Sequence, residues 1–582
     1  MIARRAIPAI VAIAMLVTMG PAAGLDVSGH VFDTNNGPGT PGFRSFGNIT
    51  HVANVPSPSN QRGSDIEFVT KEVLKLSEGA TGDPVCVPDE TEFDGCARGA
   101  DGMIIYQTEE RDFALAGTYG KGQIVDVTDP ENPVRVSVMP CNVSQNDIQV
   151  QGDLMFQAQD SASGSCTRAD GTNQGAVTTG ISDISNPRNP VFLGRFTHTR
   201  GSHNHTVHPT EPLVYVSDSD LANAGLGQIP IFDVSDPTNP TLVTTFGHLV
   251  HSPHDVTFNA DGTRAYAAAV SATYILNTED PRAPSVISTI FNEGISISHQ
   301  ADPTPDGKFL LVSDELGGGS CCEPSPGGPI HVYDIRDETI PVKVGAFGND
   351  CQVVACDDGQ ATHVSTSHVF RINPDGYTMA AGWYNDGLHV FDFSSIRGVN
   401  AYGIGTTTNV MPRVIASIKM PNANTWTAKM WQERHPGYVF ANDARGLDIF
   451  YMSDLDRGFM AYGTISGAHP GNYNAATGVT RNEWESDCDY TPRTNGVDGW
   501  VARVPAELAD GTHTLKAEGE GSGWDLDLYM YDASCFLLAG YETAAIDEEG
   551  EIPEGTAYVM VTNYLGPSQP LENPIHVRLS VT

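Results

Sequence analysis

The chain has 582 residues and a formal charge of −39, from 71 acidic and 32 basic side chains. That balance argues against nucleic acid and other polyanions as partners, because nothing on such a surface replaces phosphate counterions. The acidic residues are scattered without a long block, which fits a solvated face.

Arg4 and Arg5 precede an apolar run from Ile7 to Met19, and Pro21-Ala22-Ala23-Gly24 follows. This is the pattern of a secretory signal peptide over residues 1–24, since the run is shorter than the roughly 20 residues a span needs. Its removal would leave a charge of −41, and no later segment has a membrane-length apolar run. The mature chain is therefore expected to be secreted or at the cell surface, with no membrane span.

From there the chain repeats itself. Short apolar runs end in Asp or Asn and enter proline-prone turns at Asp126 (IVDVTDPENP), Asp183, Asp233 (IFDVSDPTNP), Asn277, Asp334 and Asp392, with a weaker copy at Tyr451. The copies lie 44 to 59 residues apart, a period that means stacked supersecondary units. The β-branched runs suit buried strands, the Asp side chain bonds turn N–H groups, and Pro holds the turn. Further strand pairs, split by the NADG, TPDG and NPDG loops at residues 259–262, 304–307 and 373–376, bring each unit to about four strands. The expected fold class is all-β: a seven-bladed β-propeller over residues 43–455. Phe46 to Val55 resembles the outer strand that precedes each new unit and is expected to complete the last one, which removes the open edge.

The IVDVTDPENP and IFDVSDPTNP segments resemble the LVIVD-repeat proteins, exported β-propellers of bacteria and archaea. The resemblance implies architecture rather than an activity.

Residues 456–485 are rich in Gly, Ala and Asn and read as a linker, with a small strand-rich domain over 486–582. In its WDLDLYMYD segment, Trp524, Leu526, Leu528 and Met530 alternate with Asp525, Asp527, Tyr529 and Tyr531, the period of a half-buried strand. With VDGWVARVP before it and GTAYVMVTNY after it, the segment resembles the pre-peptidase C-terminal (PPC) domain. That resemblance implies a jelly-roll-like β-sandwich serving as a contact or targeting module. Calcium at Asp525 and Asp527 is a weak candidate, because the ligand spacing of a calcium loop is missing.

Ten cysteines in an exported chain favour disulfides. Close spacing pairs Cys86 with Cys96, Cys141 with Cys166 and Cys488 with Cys535, and leaves the pairing of Cys321, Cys322, Cys351 and Cys356 open.

The chemical signal is histidine at the loop entering the first strand of successive units: GSHNHTVH, HSPHDVTF, ISHQADP and STSHVFRI. Aligned on the strand starts, His205, His254, His299 and His368 share one window with Asp65, Asp147 and Asp255. Asp218, Asp314 and Asp443 end second strands on the same rim, with Asp220 and Glu315 beside them. His205, His254, His299, His368 and Asp314 are thus candidate ligands for a divalent transition metal in the channel, since imidazoles and carboxylates converging on an axis suit Zn, Cu, Mn or Fe. The bland alternative is polar locking of unit to unit. HExxH, GxSxG, P-loop and dinucleotide signatures are absent. Two functions follow. The preferred one is an exported scaffold that binds a protein or glycan on the propeller face; the other is a metal-dependent oxidase or hydrolase.

Overall fold

The Asp-ended runs are strands, and their turns close as the side-chain chemistry requires. Asp126, Asp183, Asp233, Asn277 and Asp334 each accept, through Oδ1, the backbone N–H two residues on, at 2.7 to 3.1 Å. The second Asp or Asn of each turn does the same, as at Asp129, Asn186, Asp236, Asp280 and Asp337. In the NADG and TPDG loops Gly262 and Gly307 sit at φ 74° and 70°, which the turns require and glycine adopts without strain.

The computed structural model describes residues 44–452 except 47–48, 161–162, 197–200, 218–226, 248, 292–293, 316–327, 349–365, 375–377, 393–412 and 422. Beyond these it describes 460–465, 499–504, 508–519, 525–534, 536–543, 547–563 and 575–581. The signal-peptide segment, Asp218, Asp220, Trp524 and the cysteines at 321, 322, 351, 356, 488 and 535 lie outside the described residues. Both remaining cysteine pairs, Cys86–Cys96 and Cys141–Cys166, are disulfides.

The fold is an all-β propeller. Among the described residues, seven units of four antiparallel strands follow one another along the chain. The fourth unit is typical: Asp255–Phe258, Arg264–Ala269, Ala272–Asn277 and Ser285–Ile290 pair in that order. The first carries two additional strands at its outer edge, Gly164–Thr167 and Asn173–Val177. In the last unit Ile49–Pro56 supplies the fourth strand, pairing with Gly446–Met452. The expected closing strand is thus present, but it is divided. Arg44–Phe46 pairs instead with Arg413–Lys419 of the sixth unit, so the N-terminal segment ties two neighbouring sheets.

Both faces of each sheet are buried, which is why the strands read as continuous apolar runs. In Arg264–Ala269, Ala265, Ala267 and Ala269 pack with Tyr215 and Ile231 of the third unit, while Tyr266 and Ala268 pack with Leu310 and Val312 of the fifth. Seven such clusters join successive sheets, and the last, with Phe440 and Ile449 against Ile66 and Val125, joins the seventh unit to the first. The ring is therefore closed by packing as well as by strand pairing.

The C-terminal region forms two four-stranded sheets around Leu515, Leu526, Leu528, Met530, Val559, Val561 and Leu579. Its first strand, Met460–Ile465, pairs with Ile575–Val581 and lies inside the segment read as linker. Composition hid it, because a six-residue edge strand contributes few apolar residues to a Gly- and Asn-rich window. The half-buried reading of Leu526–Tyr531 also fails: Asp527, Tyr529 and Tyr531 are as buried as Leu526, Leu528 and Met530. Burial, then Asp525, Glu542 and Glu548, raise the Asp527 carboxyl to about 7.

Among the described residues no helix is long and apolar enough to cross a membrane.

Candidate metal centre

Three histidines hold one place in the repeat. His203, His254 and His368 each precede the innermost strand of their unit and donate their backbone N–H to the second strand, at Ser217 O (3.0 Å), Ala268 O (2.6 Å) and Gly382 O (3.0 Å). His299 enters the fifth unit on Ser298–Pro303, and Trp426 takes the equivalent place in the seventh, donating to Asn442 O at 3.2 Å. Four successive units so bring His203, His254, His299 and His368 into an arc, with neighbouring ring centroids 4.1 Å apart at each step.

The turn after the second strand supplies the other groups. Glu315 follows Phe309–Asp314, Tyr384 lies just beyond Thr378–Gly382, Asp160 follows Leu154–Gln159 and Tyr119 follows Thr108–Thr118. Glu315 faces the arc: Oε2 lies 3.4 Å from His254 Nε2, and Oε1 lies 3.8 Å from His368 Nε2 and accepts the Tyr384 hydroxyl at 2.8 Å. Gln145, Asn146, Val270 and Tyr384 on this same face have φ between 44° and 67°, the left-handed region where non-glycine backbone is strained. Such strain collects at functional sites because the surrounding structure has to hold it in place.

Ligand atoms of His254, His299 and Glu315 all lie within 4.8 Å of one another, and this is the one such His, Cys, Asp and Glu group among the described residues. Four bonds of about 2.1 Å to one tetrahedral ion set the ligand atoms about 3.4 Å apart, so the spacing suits an ion. Both ring nitrogens of His299, Nδ1 of His254 and Oε2 of Glu315 are buried without a hydrogen-bond partner. Buried polar atoms left this way are costly unless something else satisfies them.

The outer histidines are each held through Nδ1, as imidazoles that bind metal through Nε2 usually are. His203 Nδ1 meets Asp160 Oδ1 at 2.8 Å, which leaves Nε2 facing His254 Nε2, also at 2.8 Å. His368 Nδ1 meets the Trp426 carbonyl at 2.8 Å, which turns its Nε2 towards Glu315.

Burial holds the His254, His299 and His368 imidazoles neutral; His299 lies well below its ordinary range, and His368 falls to about 4. His203 moves the other way, since the Asp160 carboxylate outweighs its desolvation. Glu315 is held well below the usual carboxylate range, the facing His254 and the other imidazoles overcoming burial. Neutral imidazoles beside an ionised carboxylate make a ligand set ready to take a cation.

The sequence candidates therefore divide. His254, His299 and His368 come together, while His205 does not join them. Its ring is fully buried beside Phe156, with a centroid distance of 5.9 Å, and burial drives it down to about 3. Its place in the arc belongs to His203, two residues earlier. Asp314 also turns away, accepting the backbone N–H groups of Ser296 and Ile297 at 3.0 to 3.2 Å, while the next residue, Glu315, faces the centre. Asp443 caps its own turn through the Arg445 N–H at 2.7 Å. Asp65 and Asp147 are buried and Asp255 is half-buried on innermost strands, and they sense one another's charge. In the C-terminal sheets, Asp525 and Asp527 join no metal-sized group among the described residues.

Residues 214–247 match the LVIVD repeat. They span the outer three strands of the third unit, so the propeller carries this repeat where the IFDVSDPTNP segment lies. No curated protein matches the chain. Among solved structures, a candidate 6-phosphogluconolactonase from Bacteroides uniformis is 12% identical over 55% of this chain and 84% of its own, with a TM-score of 0.38. A protein of unknown function from Desulfotomaculum acetoxidans is 14% identical over 55% of this chain and 87% of its own (TM-score 0.36). A Lactobacillus plantarum protein is 13% identical over 65% and 89% (TM-score 0.40). Likenesses this distant carry nothing about activity.

Proposed function

We propose that this LVIVD-repeat propeller is an exported metal-dependent enzyme whose ion sits at the channel mouth among His203, His254, His299, His368 and Glu315. One observation carries the reading: His254, His299 and Glu315 converge within 4.8 Å while four of their polar atoms are buried and unsatisfied. The donor set of imidazoles and one carboxylate suits Zn, Cu, Fe or Mn. A bound ion would supply Lewis-acid or redox chemistry, the hydrolase or oxidase class. The protein's own part is to keep the His254, His299 and His368 imidazoles neutral and to hold Glu315 with the Tyr384 phenol as a proton donor on its Oε1.

The test is metal analysis by mass spectrometry on untagged mature protein beside the His254→Ala/His299→Ala double variant. Near-stoichiometric metal that is lost in a folded variant supports the centre; metal-free wild type, purified without chelator, sinks it.

A second role, as a scaffold holding a protein or glycan, draws on a different observation. The disulfide-stapled arm between Leu74 and Thr108 exposes Phe93, Met103, Ile105 and Tyr106, apolar side chains that a partner could cover. Under this reading the C-terminal sandwich, which resembles a PPC domain in sequence, adds a second contact outside the cell.

A further inference from the structure

On the first unit, at the face that carries the histidines, stand Arg62 and Tyr119. Arg62 immediately precedes the innermost strand Gly63–Leu74, and its carbonyl accepts the Tyr119 N–H at 3.1 Å. The guanidinium lies over the Tyr119 ring, 3.9 Å from its centroid. Arg62 acts electrostatically on both Tyr119 and Tyr384, and the two phenols act on each other. Tyr384 is the residue whose hydroxyl holds Glu315. The guanidinium therefore shares one electrostatic neighbourhood with the histidine arc.

Arg62 differs from the other arginines in what it does not touch. Every other arginine whose side chain the structure describes gives a hydrogen bond or ion pair to a protein oxygen. The Arg62 guanidinium is exposed and, among the described residues, meets only the Tyr119 ring. In a chain with 71 acidic side chains, a cation left without a carboxylate at this face is available to an anion from outside. A planar guanidinium with its face occupied by an aromatic ring offers its N–H fork edge-on, the geometry that matches a carboxylate. One guanidinium fork matches one carboxylate, so a single negative charge fits best.

We propose that Arg62, backed by Tyr119, binds the carboxylate of a singly charged organic acid whose remainder reaches across the mouth to Glu315 and the histidines. This names the substrate class of the metal centre and rests on that reading only for what happens after binding.

Benzoate is the probe, titrated by calorimetry into wild-type, Arg62→Gln and Arg62→Lys full-length mature protein, with uncharged benzamide as control and metal content measured on the same samples. Losing a charge-assisted fork should weaken benzoate at least about 10-fold in Arg62→Gln, with Arg62→Lys between the two. Benzamide should bind all three alike and more weakly than benzoate binds wild type. Equal benzoate affinity in wild type and Arg62→Gln, or no preference for benzoate over benzamide, overturns the proposal while leaving bound metal to stand on its own. Arg62-dependent benzoate binding to protein that holds no metal supports the anion site and overturns the metal centre instead.

Discussion

The Nε2 atoms of His203 and His254, from adjacent units, lie 2.8 Å apart, and Asp160 stands 2.8 Å behind His203 on its Nδ1. Two imidazole nitrogens this close either share one proton or direct both lone pairs at a cation, and the carboxylate behind fixes which nitrogen of His203 faces inward. Asp160→Asn should therefore weaken metal affinity by about 10–100-fold while the protein stays folded. Chelator competition followed by metal analysis measures this. Unchanged affinity would mean that Asp160 serves only as an ion-pair partner.

His299→Ala and His205→Ala should separate cleanly, although both residues are buried imidazoles with unsatisfied nitrogens. His299→Ala is expected to abolish bound metal with little change in melting temperature of the metal-free form. His205→Ala, which empties space beside Phe156, should retain full metal and lower the melting temperature. Metal loss in His205→Ala without unfolding would return His205 to the site and displace His203.

These two residues also mark where the sequence stops being legible. The repeat, its Asp turns and the closing strand could be read because each rests on local chemistry: a carboxylate two residues before an N–H, a proline, a β-branched run. The choice between His203 and His205 could not, since both lie on GSHNHTVH and both precede or open the strand. It is decided by a pairing register, Asn204 opposite Ser217, that only the folded sheet contains. Sequence favours Asp314 over Glu315 for the same reason, because adjacent residues at a strand end point opposite ways. His203 had one available signal: like His254, it stands immediately before the first residue of its strand.

His389 offers a test of buried neutral imidazoles away from the centre. It is fully buried against Trp383 and Phe391, and burial lowers it to about 4. The unfolded chain, with an ordinary imidazole near 6.5, binds this proton first as pH falls, so stability is complete above about 6.5 and declines towards pH 4. His389→Phe should remove that part of the acid sensitivity, up to about 3 kcal/mol across the window. Denaturant midpoints of variant and wild type at pH 7 and pH 4.5 check it: the difference between the two proteins should shift in favour of the variant at the lower pH. A constant difference would show that His389 does not titrate on unfolding.

Lys429 carries the last prediction, about how the ring stays shut on its inner side. This lysine of the seventh unit is buried with Nζ 2.8 Å from Asp65 Oδ1, 2.8 Å from Glu67 Oε1 and 2.6 Å from Ile66 O, all on the first unit. Arg371 of the sixth unit reaches the same Glu67 at 2.7 Å. Three inner strands are thus cross-linked by charge where the last unit meets the first. Lys429→Met removes the cation, leaving the Asp65 carboxylate buried without it and Glu67 held by Arg371 alone, which should cost about 3–5 kcal/mol at pH 7. Adding Asp65→Asn and Glu67→Gln to that variant should recover much of the loss, because the penalty lies in the uncompensated charges rather than in the missing ion pair. Denaturant unfolding of the single and triple variants decides it: a single variant as stable as wild type, or a triple variant no better than the single, means that the charges do not clamp the ring and that closure rests on Ile49–Pro56 and its packed cluster alone.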